Sequence, residues 1–235
     1  MDPYDDVQGC GIQADGSATC WPTGDTEVWK HYKLIDYPVQ SLSFTYPCLV
    51  LVDTDGALHA HYETDGCGAL KPTDPYDEPR LTKNIEDVPS GTNWRFVAGG
   101  RYHACALDDQ GQATCWGGHS PQALEAPSDV QFTELSATNG ATCGITTDGH
   151  IRCWAGAAWN DSWDDTGSNS WIPDDVPTSG GWAHVVMGDS DEYFACAIDT
   201  AGQVSCFGNY WVYASLSTAL DNPVDEPPPM PSYNH

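Results

Sequence analysis

The chain has 235 residues and carries 34 acidic against 8 basic side chains, a formal charge of −26. A field of that sign repels nucleic acid and anionic membrane surfaces, and leaves solubility, salt or cold tolerance, a cation or a basic partner as its uses. Ten cysteines, an even number, point to an oxidising compartment, and no stretch approaches the length of a membrane span.

Residues 1–9 are acidic and carry no strand pattern. Met1 is followed at once by Asp2-Pro3-Tyr4-Asp5-Asp6, without the basic start and apolar run of a leader, so the reading is a mature or trimmed secreted chain, extracellular or periplasmic. A hairpin is predicted over Gly9–Trp21, then a loop, a strand at Ser41–Thr45 and a second hairpin at Leu49–His61. An insertion rich in Pro, Asp and Lys fills 63–87. Residues 94–118 hold the clearest unit, with its hairpin at 105–117. The next unit starts at Phe132 and turns at 143–154, and a second insertion, 156–175, brings Trp159, Trp163 and Trp171. The last unit runs from His184 to Gly208, with its hairpin at 196–208, before a tail ending in DEPPPMPSYNH.

One frame repeats through these hairpins. Cys10, Gly16 and Cys20 have the spacing of Cys105, Gly111 and Cys115, of Cys143, Gly149 and Cys153, and of Cys196, Gly202 and Cys206. A three-residue hairpin loop needs a left-handed residue at its third position, which glycine supplies at little cost. With Gly111 there, the loop is Asp109–Gly111, and pairing outward brings Cys105 opposite Cys115, within disulfide reach. Each C-x9-C therefore reads as a cross-strand disulfide within one hairpin. Around Asp55-Gly56 the equivalent pair is Val50 and Ala60, an apolar substitute for the bridge. Cys48 and Cys67 remain and pair most simply with each other, pinning the first insertion. No C-x2-C is present to suggest zinc. Aspartates at 15, 55 and 148 read as turn residues capping their own backbone.

Short strands, frequent turns and no helical period make the chain all-β. Glycines recurring at 16, 56, 111, 149 and 202 mark units that cannot bury both faces alone, which predicts a single β-propeller of five blades over residues 1–235. An acid-x-Pro step precedes each later unit: Asp36-Tyr37-Pro38, Asp87-Val88-Pro89, Glu125-Ala126-Pro127 and Asp175-Val176-Pro177. The first hairpin has no such step before it, whereas the tail has Asp225-Glu226-Pro227. Joining 227–235 to 1–10 makes 19 residues, against 17 in Pro89–Cys105 and in Pro127–Cys143, and 20 in Pro177–Cys196. The ring is thus expected to close by a C-terminal strand, residues 228–234, joining the N-terminal blade, within one molecule or between two.

The stretch FVAGGRYHACALDDQGQATCWGG at 96–118 resembles the repeat of the regulator of chromosome condensation family. Val97, Gly99, Gly100, His103, Ala106, Leu107, Gly111, Trp116 and Gly117 match its pattern. Weaker copies keep Ile145, Gly149 and Trp154, or Ile198, Gly202, Phe207 and Gly208, or Ile12, Gly16 and Trp21. The resemblance implies a propeller that binds other proteins through the loops of one face. The family's roles in nucleotide exchange, chromatin binding and β-lactamase inhibition do not transfer residue by residue, and the basic patches chromatin requires are missing here. The cysteine pairs are an addition to the family pattern.

Chemistry-bearing candidates are few. His103 occupies the family's repeat histidine, expected to bond neighbouring backbone. His59 and His61 alternate on one strand, so with Asp53 or Asp55 a metal site is conceivable, on weak grounds. Trp21, Trp116, Trp154 and Phe207 recur at one position and read as core between blades. Gly188-Asp189-Ser190-Asp191-Glu192 offers oxygen ligands but lacks a full calcium loop, so no cofactor is assigned and calcium is unsupported. No catalytic constellation emerges. Binding is expected on the second insertion, through Trp159, Asp161, Trp163, Asp164 and Trp171, since variable loops on a rigid scaffold carry recognition. The expected function is a secreted, non-enzymatic protein-interaction module. A glycan-binding propeller and a self-associating extracellular subunit joined by strand exchange are the alternatives.

Overall fold

The computed structural model describes residues 7–22, 37–45, 48–61, 88–100, 103–117, 124–138, 140–155, 175–188 and 194–208. Among them a two-stranded sheet comes first: β1 (Val7–Ile12) and β2 (Ala18–Pro22). Four three-stranded antiparallel sheets follow. They are β3 (Val39–Thr45), β4 (Cys48–Asp53) and β5 (Leu58–His61); β6 (Trp94–Gly99), β7 (His103–Asp108) and β8 (Ala113–Gly117); β9 (Phe132–Thr138), β10 (Ala141–Thr146) and β11 (Ile151–Ala155); and β12 (Trp182–Met187), β13 (Phe194–Asp199) and β14 (Val204–Gly208). In each the middle strand of sequence is also the middle strand of the sheet. The five expected units are these five sheets.

The turns form as the spacing requires. Asp108 N–H donates to Gln112 O and Gly111 N–H donates to Asp108 O, leaving a loop of Asp109–Gly111 with Gly111 at φ +83°. Gly16, Gly56, Gly149 and Gly202 repeat that φ between +81° and +84°. Outward from the loop, Cys105 pairs with Cys115, Cys143 with Cys153 and Cys196 with Cys206, each bridged by a disulfide with Cα atoms 3.9–4.0 Å apart. These are the narrow, non-hydrogen-bonded positions of an antiparallel ladder, where side chains approach most closely. Cys10 lies opposite Cys20 in register, and Val50 opposite Ala60 as the expected apolar substitute. The Cys48–Cys67 pairing and the closing strand at 228–234 lie outside the described residues.

Each hairpin turn also builds the next junction. Val39, Trp94, Phe132 and Trp182 begin β3, β6, β9 and β12, and their N–H groups donate to the carbonyls of Gly16, Gly56, Gly111 and Gly149 of the preceding sheet at 2.8–3.1 Å. Arg95 reinforces the Gly111–Phe132 junction, donating to Asp108 O within its sheet and, at 2.6 Å, to Phe132 O of the next. Side chains on the leading strands accept further backbone N–H groups: Ser41 from Val97, Ser43 from Gly99, Glu134 from Val185 and Ser136 from Met187. These N–H groups point away from their own ladder, so a neighbouring sheet must satisfy them.

Apolar faces fill the space between sheets. Val50, Val52 and Leu58 pack on Val97, Ala104, Ala106 and Trp116 of the third sheet. The other face of the third sheet, with Ala98, Cys105 and Leu107, packs on Phe132, Leu135 and Trp154. Cys143, Ile145 and Ile151 pack on Val185, Met187, Ala195, Ala197 and Phe207. Alternation along β7 and β10 therefore serves two interfaces, which is why these strands are buried almost throughout. Trp116, Trp154 and Phe207 are the expected core between blades; the side chain of Trp21 lies outside the described residues.

A methyl group at Gly111 would stand 2.7 Å from Phe132 O and would hold a β-carbon at positive φ. Gly111→Ala is expected to cost at least about 2 kcal/mol in urea unfolding under oxidising conditions. Replacing both Cys105 and Cys115 by Ala is expected to cost roughly 2–3 kcal/mol while leaving the far-ultraviolet dichroism unchanged, because the short loop it closes constrains mainly the unfolded chain.

Candidate interaction surface

The junctions fix which loops share an end. Because each leading strand starts beside the preceding glycine turn, all these turns lie at one end of their sheets, the turn end. The second and third strands reverse direction there, so β5 and β11 finish at the opposite, loop end, at His61 and Ala155. The connections from β6 to β7 and from β12 to β13 are at the loop end too. Both insertions therefore leave the scaffold at the loop end, and the chain returns to the turn end by Trp94 and Trp182. Trp159, Asp161, Trp163, Asp164 and Trp171 of the second insertion, and Asp189 to Glu192, lie outside the described residues.

At the turn end, polar side chains are spent on the turns themselves. Asp53 Oδ1 accepts the N–H groups of Asp55 and Ala57 at 2.9 Å. Asp108 and Asp199 hold the equivalent pairs of N–H groups in their own turns. The capping carboxylate is thus three residues before the glycine: Asp53, not the expected Asp55, caps the second turn. Asp15 does cap Ser17, whereas Asp148 accepts the Thr146 hydroxyl. The signal for the true cap was present, since Asp53, Asp108 and Asp199 share one place in the frame.

His59 lies beside this turn, with Nε2 2.7 Å from Asp53 Oδ2 and its ring centroid 4.8 Å from that of Tyr37. Burial pushes the Asp53 carboxyl up, but the bond to His59 and the two backbone N–H groups outweigh it and hold the group below the usual carboxylate range. Burial, with a smaller contribution from the Asp53 charge, raises the Tyr37 hydroxyl. Both Asp53 oxygens are committed inside this cluster, and the side chain of His61 lies outside the described residues. Among the described residues no three His, Cys, Asp or Glu side chains converge as metal ligands.

A shallow cleft of about 550 Å³ opens beside the fourth turn, lined by Thr146, Asp148, His150, Arg152, Val176 and Pro177. His150 Nδ1 lies 3.3 Å from Asp148 Oδ1, and Arg152 pairs with Asp129 at 3.9 Å. His103 is fully buried and its Nε2 lies 2.8 Å from the Thr142 hydroxyl of the next sheet. The ring reaches across a blade junction. These contacts hold turns and blade junctions together.

Residues 94–120 match the model of the Regulator of chromosome condensation (RCC1) repeat. The CRINKLY WD40 ectodomain of the Arabidopsis thaliana receptor kinase ACR4 superposes with a TM-score of 0.55 at 18% identity, over 85% of this chain and 61% of that one. This chain folds as a β-propeller. The ectodomain of the Physcomitrella patens receptor kinase CR4 is similar, with a TM-score of 0.55 and 21% identity over 85% of the propeller and 45% of that chain. The propeller thus spans between under half and three fifths of these chains. Three of its hairpins, among the described residues, carry disulfides.

The Asp53 cluster gives a pH dependence of known sign. A carboxyl depressed in the folded state contributes stability that is present above its unfolded value and is lost as pH falls through the folded one. Asp53→Asn keeps the turn acceptor and removes the charge. It is expected to lower the urea midpoint at pH 7, and the gap from wild type should close below the ordinary carboxylate range.

Proposed function

We propose that the propeller is a secreted, non-enzymatic interaction module whose partner is a protein docked on the loop end, with Trp159, Asp161, Trp163, Asp164 and Trp171 in the contact. The observation that carries this reading is the shared exit of both long insertions, at His61 and Ala155, from one end of a scaffold whose third, fourth and fifth sheets are stapled by disulfides. A rigid frame lowers the ordering cost of binding, and variable segments on it supply specificity. Aromatic side chains interleaved with acids suit a basic protein surface, with tryptophan as anchor and the carboxylates steering approach. The charge of −26 favours the same partner sign. Secretion is supported by the three hairpin disulfides, which persist in oxidising compartments. The likeness to two receptor-kinase ectodomains agrees with that location.

The test is affinity capture from the extracellular fraction of the source, with wild type and a Trp159→Ala/Trp163→Ala variant side by side. The captured protein is expected to bind the variant at least about tenfold more weakly, while the melting temperature moves by no more than about 2 °C. A collapse of stability would make these rings core, and equal capture would move the contact elsewhere. Binding on a glycan array lost in the same variant would favour a sugar ligand instead.

A further inference from the structure

The five turn glycines share one backbone: φ between +81° and +84°, and an N–H that donates to the carbonyl three residues before. Three of them, Gly16, Gly56 and Gly149, follow an aspartate, where the third and fifth turns have Gln110 and Ala201. Asp15, Asp55 and Asp148 are all exposed. They differ in what their carboxyls do. Asp15 Oδ1 accepts the Ser17 N–H at 2.9 Å and the Ser17 hydroxyl at 2.7 Å. Asp148 Oδ1 accepts the Thr146 hydroxyl and lies 3.3 Å from His150 Nδ1. In the second turn Asp53 does the capping, taking the N–H groups of Asp55 and Ala57, and among the described residues the Asp55 carboxyl has no partner.

An aspartate before glycine carries its own electrophile. The glycine nitrogen, unhindered by a side chain, attacks the aspartate Cγ; the Cγ–O bond breaks, water leaves with the amide proton, and a succinimide forms. Water then cleaves the bond from the aspartate main-chain carbonyl to that nitrogen, so the chain runs on through Cγ as an isoaspartate of unchanged mass. The attack starts from a neutral carboxyl that is free to turn onto the glycine nitrogen. We infer that Asp55-Gly56 is the site at which the folded protein isomerises to isoaspartate, since its carboxyl is the one of three on the same backbone that no described group holds away. The Ser17 hydroxyl keeps the Asp15 carboxyl, and the Thr146 hydroxyl the Asp148 carboxyl, below the ordinary carboxylate range, which also withholds the neutral acid. The product sits at a junction. An extra methylene enters the main chain beside Gly56, whose carbonyl accepts the Trp94 N–H at 3.1 Å and whose missing Cβ would lie 2.5 Å from Thr92 O. Modification of one exposed turn therefore bears on the join between the second and third sheets. It is independent of the partner proposed above.

The test is slow ageing of the full-length oxidised chain at neutral pH and physiological temperature. Isoaspartate is located by protease mapping and by methyl transfer from S-adenosylmethionine, with an isoaspartyl methyltransferase as the probe. It is expected to accumulate at residue 55 at least about threefold faster than at 15 or 148, the factor imposed by first releasing one carboxyl hydrogen bond. In concentrated urea the three rates should converge. Ser17→Ala, an exposed change, is expected to raise the rate at Asp15 at least about twofold by removing one of its two bonds. Equal rates at the three sites in the folded chain overturn the inference, as do isoaspartate appearing first at 15 or 148 and isoaspartate at none of them. An excess at 55 that persists in urea overturns it too, because local sequence and not the folded turn would then direct the reaction. An unchanged rate at Asp15 in Ser17→Ala does the same.

Discussion

The hydrogen bond from the first N–H of each leading strand to the turn glycine of the preceding sheet organises this molecule. It ties a local requirement to a global one. The turn needs a left-handed residue to reverse in three residues, and glycine meets that need. Lacking a β-carbon, glycine also lets the chain entering the next strand, at Pro38, Thr92, Phe132 or Gly181, pass at 2.5–3.2 Å from where that carbon would stand. One residue therefore closes the hairpin, presents the acceptor and makes room for the donor. The disulfides sit two residues further out than the last ladder pair, so the third, fourth and fifth turns are held from behind as well as from the side. Arg95, Ser41, Ser43, Glu134 and Ser136 add bonds across the same junctions, and the apolar faces supply the burial that makes them worthwhile.

Such a scaffold has little chemistry left to offer. Asp53 is divided between a turn and His59, Asp148 between Thr146 and His150, and Glu134 between His184 and the Val185 N–H. His103, the histidine that most resembles a functional group in the sequence, is consumed by Thr142. These groups act on packing, and the carboxyls of Asp53 and Asp148, held below the usual range, also on stability toward acid. On the reading proposed above, recognition falls to what hangs from the scaffold, and the topology sends the two long insertions out of the same end. A protein that varies only there can change partners without disturbing a junction.

The fold was readable from sequence to the extent that it is local. Cysteine and glycine positions report a hairpin register directly, because a three-residue loop leaves no freedom in which residues face each other; Cys105–Cys115 and the Val50–Ala60 substitute follow from counting alone. The exchange of Asp55 for Asp53 as the cap shows where counting by nearest neighbour fails: the acceptor is set by which side chain reaches back over the turn, not by which lies inside it. The His103–Thr142 bond and the Arg95 clamp were not readable, since their partners lie 39 and 37 residues away on another sheet and no local pattern encodes them. The candidate binding residues, Trp159 to Trp171, were read from composition, which names the chemistry of a contact but not its geometry.

The central claim is that backbone junctions at the turn glycines, and not side-chain packing alone, join successive blades. Amide exchange at Val39, Trp94, Phe132 and Trp182 measures this directly, because these N–H groups lie outside every ladder of their own sheet. The account predicts that all four exchange as slowly as the middle-strand amides of β7 and β10. Exchange at the rate of exposed loop amides at these four positions, with the middle strands still protected, would contradict it.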